Sequence, residues 1–408
     1  MEVKPVALKG GALKKVLFFA ESLAEICAGA RVAPGRPLRW IIIANPTAGG
    51  FTLRSRWEKH RSTLARYVSP ITLDGDRNGG HRNGEDRTPR GRPAYTSAAF
   101  GNLPALAACG LVPTQRAGSG TEIATALVTE AANALEPANP DGAPSGAAPF
   151  YLVVVAGGDG TGLEVLSVLF RAPDTVRSNM AVLRLPMGTG NDGADSHDLD
   201  GALDLLVKPS RVGFTPALRL STAPGGPAES KGPFAAFNVL SVGLDAFVTH
   251  MANKMKKKSP GDFYKLWVNV AALLYDKLYK VDFLDVKAFD ERGAEVMAFR
   301  EKLLLIAVGT SGHRSYGSRK KILPDGRNVC ALRQMPLLRK LALKELLATG
   351  EHTGKPEATL CNASRVEISG RHAILAQTDG EGVPLKKEDF PIVIELTAPV
   401  IPVLRLEG

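Results

Sequence analysis

Cysteine is scarce in this sequence. Its 408 residues include four cysteines, and no two of them form a Cys-x-x-Cys pair. Thiols this few and this widely spaced argue against both a disulfide framework and a thiolate zinc site. A reducing compartment is the simplest inference, and the thiols concerned are Cys27, Cys109, Cys330 and Cys361.

Long apolar runs are also missing. No stretch approaches the roughly 18 apolar residues that a membrane-spanning helix needs, and the main apolar runs, at 40–44, 151–156 and 266–275, are much shorter. Residues 13–28 have the pattern of a short amphipathic helix, and acidic residues interrupt it too early for a signal peptide. A helix packed on the first domain is favoured, and an anchor at a membrane surface is the alternative.

The composition is that of a globular protein. Hydrophobic residues make up 44% and charged residues 23%, which excludes collagen-like, coiled-coil and wholly disordered chains. At about 100–200 residues per domain, the length predicts two domains, or at most three. Lysine and arginine total 51 against 41 aspartates and glutamates, so the net charge is +10.

Buried-strand and helix patterns alternate in the first half of the chain. This alternation predicts an α/β domain with a parallel sheet over residues 36–208, preceded by an extension at 1–35. Residues 74–102 are rich in Gly, Asn, Arg and Pro, and they are expected to form a flexible surface insertion. The strands are predicted at 40–44, 151–156 and 181–185, and the helices at 54–67 and 121–135.

After residue 208 the pattern changes to short β-rich runs separated by turn residues. This is typical of an antiparallel domain, which we predict over residues 209–390. Two helices, at 246–257 and 263–277, are expected to interrupt it. The β-rich runs lie at 213–221, 234–242, 281–289, 298–308, 329–335 and 365–369, and no internal repeat is visible among them.

Three glycine-bearing turns each follow a buried strand of the first domain. They are Asn-Pro-Thr-Ala-Gly-Gly at 45–50, Gly-Gly-Asp-Gly-Thr at 157–161 and Pro-Met-Gly-Thr-Gly-Asn-Asp at 186–192. Because the carboxyl ends of parallel strands share one edge of a sheet, these turns are expected to converge on one ligand. Glycines allow close backbone approach, so their N–H groups suit a phosphate.

Asp159 lies in the second of these turns. A carboxylate among phosphate-binding amides repels the phosphate unless a cation lies between them, so the pattern predicts magnesium. A tight turn without a ligand is the alternative for any one loop, but three such loops in order disfavour it. A Walker A motif is absent, and the literal G-x-G-x-x-G at 188–193 is weak because no acidic residue follows about 20 positions later.

Together these residues resemble the catalytic domain of the diacylglycerol kinase family, the lipid kinases that include sphingosine and ceramide kinases. Gly-Gly-Asp-Gly-Thr alone is also similar to loops of NAD kinases and phosphofructokinases. The motif at 186–192, about 30 residues later, is what points to the lipid kinases. The segments at 242–246, 260–264, 324–326 and 377–381 fit as well, so the resemblance spans roughly 36–408.

The resemblance implies an architecture and a nucleotide site. The family has an N-terminal α/β nucleotide domain, a C-terminal antiparallel β-sandwich that binds lipid, and an active site in the cleft between them. The last strands, here 391–408, return toward the first domain. ATP is then expected on Asn45, Pro46, Thr47, Ala48, Gly49, Gly157, Gly158, Asp159, Gly160, Thr161, Glu164, Gly188, Thr189, Gly190, Asn191 and Asp192.

The resemblance also implies catalytic and metal-binding residues. Glu381 stands at the family's usual proton-acceptor position, and Asp379 is its near neighbour in the Asp-Gly-Glu turn. Besides the magnesium near Asp159, a structural magnesium of bacterial members would be held here by Asp325 and by the backbone of Ile322 and Arg327. Taken alone, Asp-Gly-Glu is more often a polar turn, and Asp245 is equally well explained as a supporting carboxylate or as a helix start.

Several positions depart from the family pattern. Gly50 replaces a common lysine, Leu163 replaces an asparagine, and Gly193 and Asp195 stand where an aromatic or aliphatic residue and an arginine are frequent. The threonine expected before the second helix is not clearly aligned, since Thr114 and Thr121 both miss its spacing. The usual Gly-Gly-Gly run is reduced to residues 316–317. These departures leave the nucleotide core intact and bear on the acceptor.

The excess positive charge is concentrated in two stretches. Residues 253–280 hold seven lysines against two aspartates, and 313–344 hold nine lysines and arginines against Asp325, so their net charges are +5 and +8. They would dock the protein on an anionic membrane, where each basic residue contributes about 1 kcal/mol. A solubilising surface explains them equally well, and no nucleic-acid-binding module is recognisable.

The sequence therefore predicts a cytoplasmic, peripherally membrane-associated lipid kinase that uses ATP and Mg²⁺, with diacylglycerol as the first expected acceptor and phosphatidic acid as the product. Other acceptors in the same site are a sphingoid base, ceramide, another lipid alcohol or NAD. A non-catalytic nucleotide-binding regulator is the non-enzyme alternative, and retention of Asp159, Asp379 and Glu381 argues against it. A homodimer is compatible with the sequence, which does not give the oligomeric state.

Overall fold

A computed structural model describes residues 10–28, 30, 32–33, 35–68, 109–135, 148–188, 190–232, 234–256, 275, 281–316 and 320–407. The chain divides into two compact units. The first comprises the residues up to Thr215 and those from Ile401 onward, and the second is Pro216–Val400. The predicted insertion at 74–102, Thr189, and most of both the predicted helix at 263–277 and the lysine-rich stretch at 253–280 lie outside the described residues.

The described helices and strands are numbered here in chain order. The helices are α1 Gly10–Ala28, α2 Gly49–Thr52, α3 Arg54–Val68, α4 Ser119–Leu135, α5 Asp159–Arg171, α6 Asp174–Arg177, α7 Leu199–Val207, α8 Leu244–Lys256 and α9 Leu337–Thr349. The strands are β1 Leu38–Ala44, β2 Cys109–Pro113, β3 Phe150–Ala156, β4 Met180–Arg184, β5 Ser210–Thr215, β6 Leu218–Ser221, β7 Phe234–Ala236, β8 Val239–Gly243, β9 Phe283–Phe289, β10 Glu295–Gly309, β11 Arg314–Tyr316, β12 Lys320–Leu323, β13 Val329–Arg333, β14 Ala358–Cys361, β15 Arg365–Ser369, β16 Ile374–Thr378, β17 Glu381–Leu385, β18 Ile392–Leu396 and β19 Ile401–Leu406.

The first unit is built on a six-stranded sheet of order β2-β1-β3-β4-β19-β5. The strands β1 to β4 are all parallel to their neighbours, which confirms the predicted parallel α/β fold. Strands β1 and β3 are nearly continuous apolar runs because helices cover both faces of the sheet. The chain passes from β1 to β2 on one side and then to β3 on the other, so the strand order reverses between β1 and β3.

Helix α1 packs onto this unit with its apolar face. Phe19, Leu23 and Ile26 are at most 1% exposed and belong to the same core as β1 and β3, and the ring of Phe19 lies 5.3 Å from that of Phe51. Burying such a side chain contributes about 1.5–3 kcal/mol. The packed-helix interpretation is therefore confirmed. Among the helices that the structure describes, none is both long enough and apolar enough to cross a bilayer.

The second unit is antiparallel throughout its main sheet, as predicted. The long strand β10 pairs first with β9 and then with β8 and β13, so it joins two halves of this sheet. Apolar side chains from both halves, such as Val286 and Ile394 on one and Val242 and Ile306 on the other, share a single core. This shared core makes the unit a β-sandwich.

Two features of the second unit differ from the sequence interpretation. Strand β18 pairs with β15 and β6 inside this unit, and within the final segment it is β19 that enters the sheet of the first unit. Helix α9 was not predicted. It begins after Pro336 and ends at Gly350, whose φ of 91° is the left-handed conformation that commonly stops a helix.

Candidate active site

Four loops of the first unit start at the same edge of the sheet, because β1 to β4 are adjacent and parallel. The sheet hydrogen bonds continue one residue beyond the strands. Asn45 N donates to Ala156 O at 2.9 Å, and Thr114 N donates to Ala44 O at 2.7 Å. Three of these loops are the predicted glycine turns, and they lie around the point where the strand order reverses. In open α/β sheets this is where ligands bind.

Asn45 ties the first loop to the second. Its Oδ1 accepts hydrogen bonds from the Thr47 backbone N–H at 3.0 Å and the Thr47 hydroxyl at 2.8 Å. Its Nδ2 donates to the hydroxyl of Thr161 in the first turn of α5, at 3.3 Å. The side chain therefore fixes the loop that contains Pro46, Ala48 and Gly49 against the start of that helix.

The second and third loops meet backbone to backbone. A Cβ added to Gly188 would lie 2.6 Å from the Cα of Gly158, which is closer than real Cβ contacts. Gly50 is equally confined, since its N–H donates to Met187 O at 2.8 Å and an added Cβ would lie 3.0 Å from that oxygen. The glycine that replaces the common lysine at position 50 therefore suits a close contact between the first and third loops.

Asp159 begins α5 and is bordered by the third loop. Its Oδ1 accepts a hydrogen bond from Gly193 N at 2.9 Å. A Cβ on Gly190 would lie 2.9 Å from Asp159 Oδ2 and 3.3 Å from Asp192 Oδ2, so both carboxylates border the same glycine. Carboxylate oxygens are the ligands that Mg²⁺ prefers in proteins, with phosphate oxygens and water completing its shell.

These loops also fit a nucleotide. The side-chain oxygen of Asn191 is buried and has no hydrogen-bond partner within the described part of the chain. A buried acceptor without a partner is rare, which points to a donor or cation that a ligand would bring. The described residues contain no group of three or more His, Cys, Asp and Glu side chains that could hold a metal ion.

Glu164 organises a fourth loop that the sequence did not reveal. Its carboxylate accepts hydrogen bonds from the N–H groups of Gly118 and Gly120 at 2.7 and 2.8 Å, where α4 begins. The loop follows β2 and includes the buried Thr114. Glu164, which the sequence predicted as a nucleotide contact, therefore holds a neighbouring loop in place. Little in the sequence indicated this loop, because the strand before it is short and contains Gly110 and Pro113.

In the second unit, the Asp-Gly-Glu turn is anchored by Asp379. This residue has a left-handed φ of 46°. Its carboxylate accepts three backbone hydrogen bonds, from Phe237 N at 2.5 Å, Asn238 N at 3.0 Å and Val239 N at 2.9 Å. Glu381 is exposed and opens strand β17. Asp379 thus shapes the turn, while the carboxylate of Glu381 is on the surface.

A buried polar network supports this turn from behind. Gln377 accepts from Gly380 N at 2.7 Å and donates to the Ser241 hydroxyl at 2.9 Å. The Ser241 hydroxyl donates to Asp245 at 2.5 Å. Asp245, which is 5% exposed, therefore lies in the first turn of α8 and is linked through Ser241 and Gln377 to the Asp-Gly-Glu turn.

The second magnesium predicted from the sequence meets competing partners. Both oxygens of Asp325 bond to the Arg327 guanidinium, with Nη2 to Oδ2 at 2.5 Å. This pairing lowers the pKa of Asp325 to about 2. The carbonyl of Ile322 lies 3.1 Å from the buried His352 Nε2. Asp325 and the carbonyl of Ile322 are therefore not available together with the backbone of Arg327 as metal ligands in this arrangement. A metal ion at this position stays a prediction, and its binding would require the Arg327 side chain to move.

An apolar cavity of about 390 Å³ lies between α9, the end of β13 and the segment 352–357 that leads into β14. Leu332, Met335, Leu343 and Leu346 line its interior, and Arg339 and Lys355 are also among its lining residues. In the order of this sheet, β14 and the β16–β17 hairpin are separated by β13, β10 and β8. The cavity is therefore remote from the Asp-Gly-Glu turn and belongs to a different part of the second unit.

Comparison with known proteins finds one family model and two curated proteins similar to this chain. Residues 39–212 match the family model described as Diacylglycerol kinase catalytic domain, which confirms the predicted resemblance over the first unit. A protein of Yersinia enterocolitica named "Probable lipid kinase YegS-like" is 26% identical over 248 residues, which are 59% of this chain and 75% of that protein. A protein of the same name from Pectobacterium atrosepticum is 24% identical over 256 residues, 60% of this chain and 78% of that one.

Solved structures with a similar course of the chain include two kinases. A diacylglycerol kinase from Bacillus anthracis is 13% identical, with a TM-score of 0.46, and the likeness covers 90% of this chain and 96% of that one. Yeast NADH kinase in complex with NADH is 12% identical, with a TM-score of 0.37, covering 90% and 83%.

Proposed function

We propose that this chain is an ATP-dependent lipid kinase that transfers the γ-phosphate to a lipid hydroxyl, with diacylglycerol as the acceptor and phosphatidic acid as the product. The observation that carries the proposal is the contact of Gly158 with Gly188 beside the carboxylates of Asp159 and Asp192. Such an arrangement, at the point where the strand order reverses, suits a polyphosphate with its metal ion.

The first unit would hold the nucleotide. The N–H groups at the start of α5 and in the glycine loops would donate to phosphate oxygens, while Asn45 and Thr161 keep two of the loops together. Asp159 and Asp192 would hold Mg²⁺, which supplies charge neutralisation of the phosphates when it is bound. Phosphoryl transfer depends mainly on such positioning and charge stabilisation, because its transition state is loose.

In the second unit, Glu381 would accept the proton of the attacking hydroxyl. Asp379 is less suited to this role, because its oxygens already accept three backbone hydrogen bonds. We therefore assign Asp379 to positioning the turn. The network through Gln377 to Asp245 would keep the turn rigid, so that the Glu381 carboxylate is presented in one orientation.

A lipid acceptor is supported by two observations. The two bacterial proteins that match this chain over more than half its length are named "Probable lipid kinase YegS-like". In addition, residues 313–344 of the second unit carry a net charge of +8, which suits the anionic surface of the membrane where such an acceptor resides.

The test is transfer of radiolabelled phosphate from ATP with Mg²⁺. The acceptors are mixed micelles of diacylglycerol, sphingosine, ceramide or undecaprenol, and NAD in solution. We expect label in diacylglycerol and a loss of about 10²–10⁴-fold in Glu381→Gln, as for removal of a general base. Glu351→Gln is the matched control, since Glu351 is another exposed glutamate of the second unit, and it should keep full activity.

Two results would overturn the proposal. Measurable ATP binding without label in any lipid would exclude these lipid acceptors, and label in NAD alone would make the chain an NAD kinase. Full activity in Glu381→Gln would remove the role assigned to that residue while leaving the reaction itself intact.

A further inference from the structure

The cavity beside α9 lies away from the Asp-Gly-Glu turn and has no part in the proposed reaction. Its apolar lining residues Leu332, Met335 and Leu343 are at most 7% exposed. Its volume of about 390 Å³ falls within the range of roughly 300–1,000 Å³ that is typical of small-molecule sites. The interior therefore suits an apolar ligand, or the apolar part of an amphiphilic one.

The walls of this cavity are tied to the strands around it. His352 Nε2 lies 3.1 Å from the Ile322 carbonyl of β12. Arg333, at the end of β13, holds the segment that leads into β14, because its Nη1 donates to Pro356 O at 2.9 Å and its backbone N–H donates to Glu357 O at 2.9 Å. These bonds hold open the space between the segment and α9.

The charged lining residues lie at the mouth of the cavity. Arg339 and Lys355 are exposed, and two cations against the carboxylate of Glu357 leave a net charge of +1. Arg339 pairs with Glu357, whereas Lys355 has no ion pair among the residues that the structure describes. Burial lowers the pKa of His352, so this residue is neutral near pH 7 and adds no charge. The uncompensated positive charge is therefore that of Lys355.

An exposed apolar side chain lies one helical turn from the cavity. Leu338 is 80% exposed and precedes the lining residue Ala342 by four positions, so the two share a face of α9. Arg339 follows Leu338 directly in the chain. An apolar side chain beside a cation suits the boundary between the headgroups and acyl chains of an anionic membrane, which is where single-chain amphiphiles reside.

From these features we propose that the cavity binds a single-chain anionic amphiphile. Its acyl chain would lie among Leu332, Met335 and Leu343, and its carboxylate or phosphate would pair with Lys355. A long-chain fatty acid and a lysophosphatidate share this chemistry. The inference goes beyond the proposed function, because it assigns a lipid site separate from the acceptor of phosphate transfer, and it does not require the chain to be a kinase.

The experiment is calorimetry on the full chain after removal of any bound lipid. The probes are laurate and lauroyl lysophosphatidate below their micellar concentrations, with dodecanol and dodecyltrimethylammonium as the neutral and cationic counterparts. We expect saturable binding of the anions, weaker binding of dodecanol and no binding of the cation. Affinity should rise about fourfold for each methylene added between octanoate and laurate, as for burial of a CH₂ group. The anion that binds more tightly identifies the headgroup.

Two variants test the two parts of the site. Ala342→Trp should lower laurate affinity at least about tenfold, because the indole takes up the space of the acyl chain. Ala348→Trp is its matched control, since Ala348 is exposed on the same helix and is not a lining residue. Lys355→Met should weaken both anions about two- to fivefold, as for an exposed ion pair, and leave dodecanol unchanged. Lys287→Met, at an exposed lysine of β9, should change neither.

Two results would overturn the inference: no saturable binding of either anion to the folded wild-type chain, or wild-type laurate affinity in Ala342→Trp. If Ala342→Trp does not fold, equal affinities for octanoate and laurate, or for laurate and dodecyltrimethylammonium, would overturn it. Lipid phosphorylation without anion binding would refute only this inference. Anion binding by a chain that phosphorylates no lipid would refute only the proposed function.

Discussion

Removing the carboxylate of Asp379 should destabilise the Asp-Gly-Glu turn before it affects chemistry. The carboxylate accepts the backbone N–H groups of Phe237, Asn238 and Val239, and Asp379 N donates in return to Val239 O at 3.1 Å. In Asp379→Ala these three donors lose their acceptor. In addition, an alanine must adopt the left-handed φ of 46°, which β-carbon residues disfavour.

The size of the effect follows from these contacts. A hydrogen bond to a charged group contributes about 1.5–3 kcal/mol. Three such bonds set an upper bound of roughly 5–9 kcal/mol, but water replaces part of this because the turn is half-buried. We therefore expect a loss of at least about 3 kcal/mol in local stability, which corresponds to roughly a hundredfold faster amide exchange.

The assay is hydrogen exchange, read at the amides of residues 237–239. Asp379→Asn tolerates the left-handed conformation and keeps one oxygen, so it should lose about half of the protection that Asp379→Ala loses. Glu381→Gln should leave these amides unchanged while slowing phosphate transfer about 10²–10⁴-fold. Slow exchange in Asp379→Ala, or equal acceleration in Glu381→Gln, would refute the division of labour between the two carboxylates.

Three further predictions concern the loops, a buried histidine and the second metal. Gly188→Ala should lower the free energy of unfolding by about 1–3 kcal/mol through overpacking. In Gly160→Ala the added Cβ meets nothing within 4 Å, so the free energy of unfolding should change by less than about 1 kcal/mol. Equal thermal unfolding temperatures of the two variants without nucleotide would contradict this difference. Burial lowers the pKa of His60 from 6.5 to about 4. The neutral histidine therefore contributes fully to folding stability above pH 6.5, and the free energy of unfolding should fall by up to about 3 kcal/mol as the pH drops from 6.5 to 4. Denaturant titrations of His60→Gln over this pH range should lack this loss. Millimolar Mg²⁺ should slow amide exchange around Asp325 more in Arg327→Ala than in the wild-type chain, and equal slowing would mean that the metal displaces the guanidinium unaided.

The sequence predicted those parts of the molecule in which a short motif directly follows a recognisable strand. Glycine turns directly after buried strands locate the three loops, because a parallel sheet brings strand ends to one edge. The loop at Thr114 was missed, since β2 is a five-residue strand that contains both glycine and proline. The roles of Glu164 and Asp379 were also hidden, because their partners are backbone amides 44 to 46 and 140 to 142 residues away. No spacing rule along the chain reveals such contacts.

The distribution of charge explains why net charge alone did not mark the nucleotide site. The chain carries +10 overall, and residues 313–344 of the second unit account for +8 of it. The glycine loops of the first unit instead bring together Asp159 and Asp192. A polyphosphate bound there would depend on backbone dipoles and a divalent cation, both of which act at short range. The basic surface of the second unit is then left to the acceptor side of the reaction, so the two substrates would respond differently to salt: lipid docking should weaken steeply with ionic strength, while ATP affinity should change little.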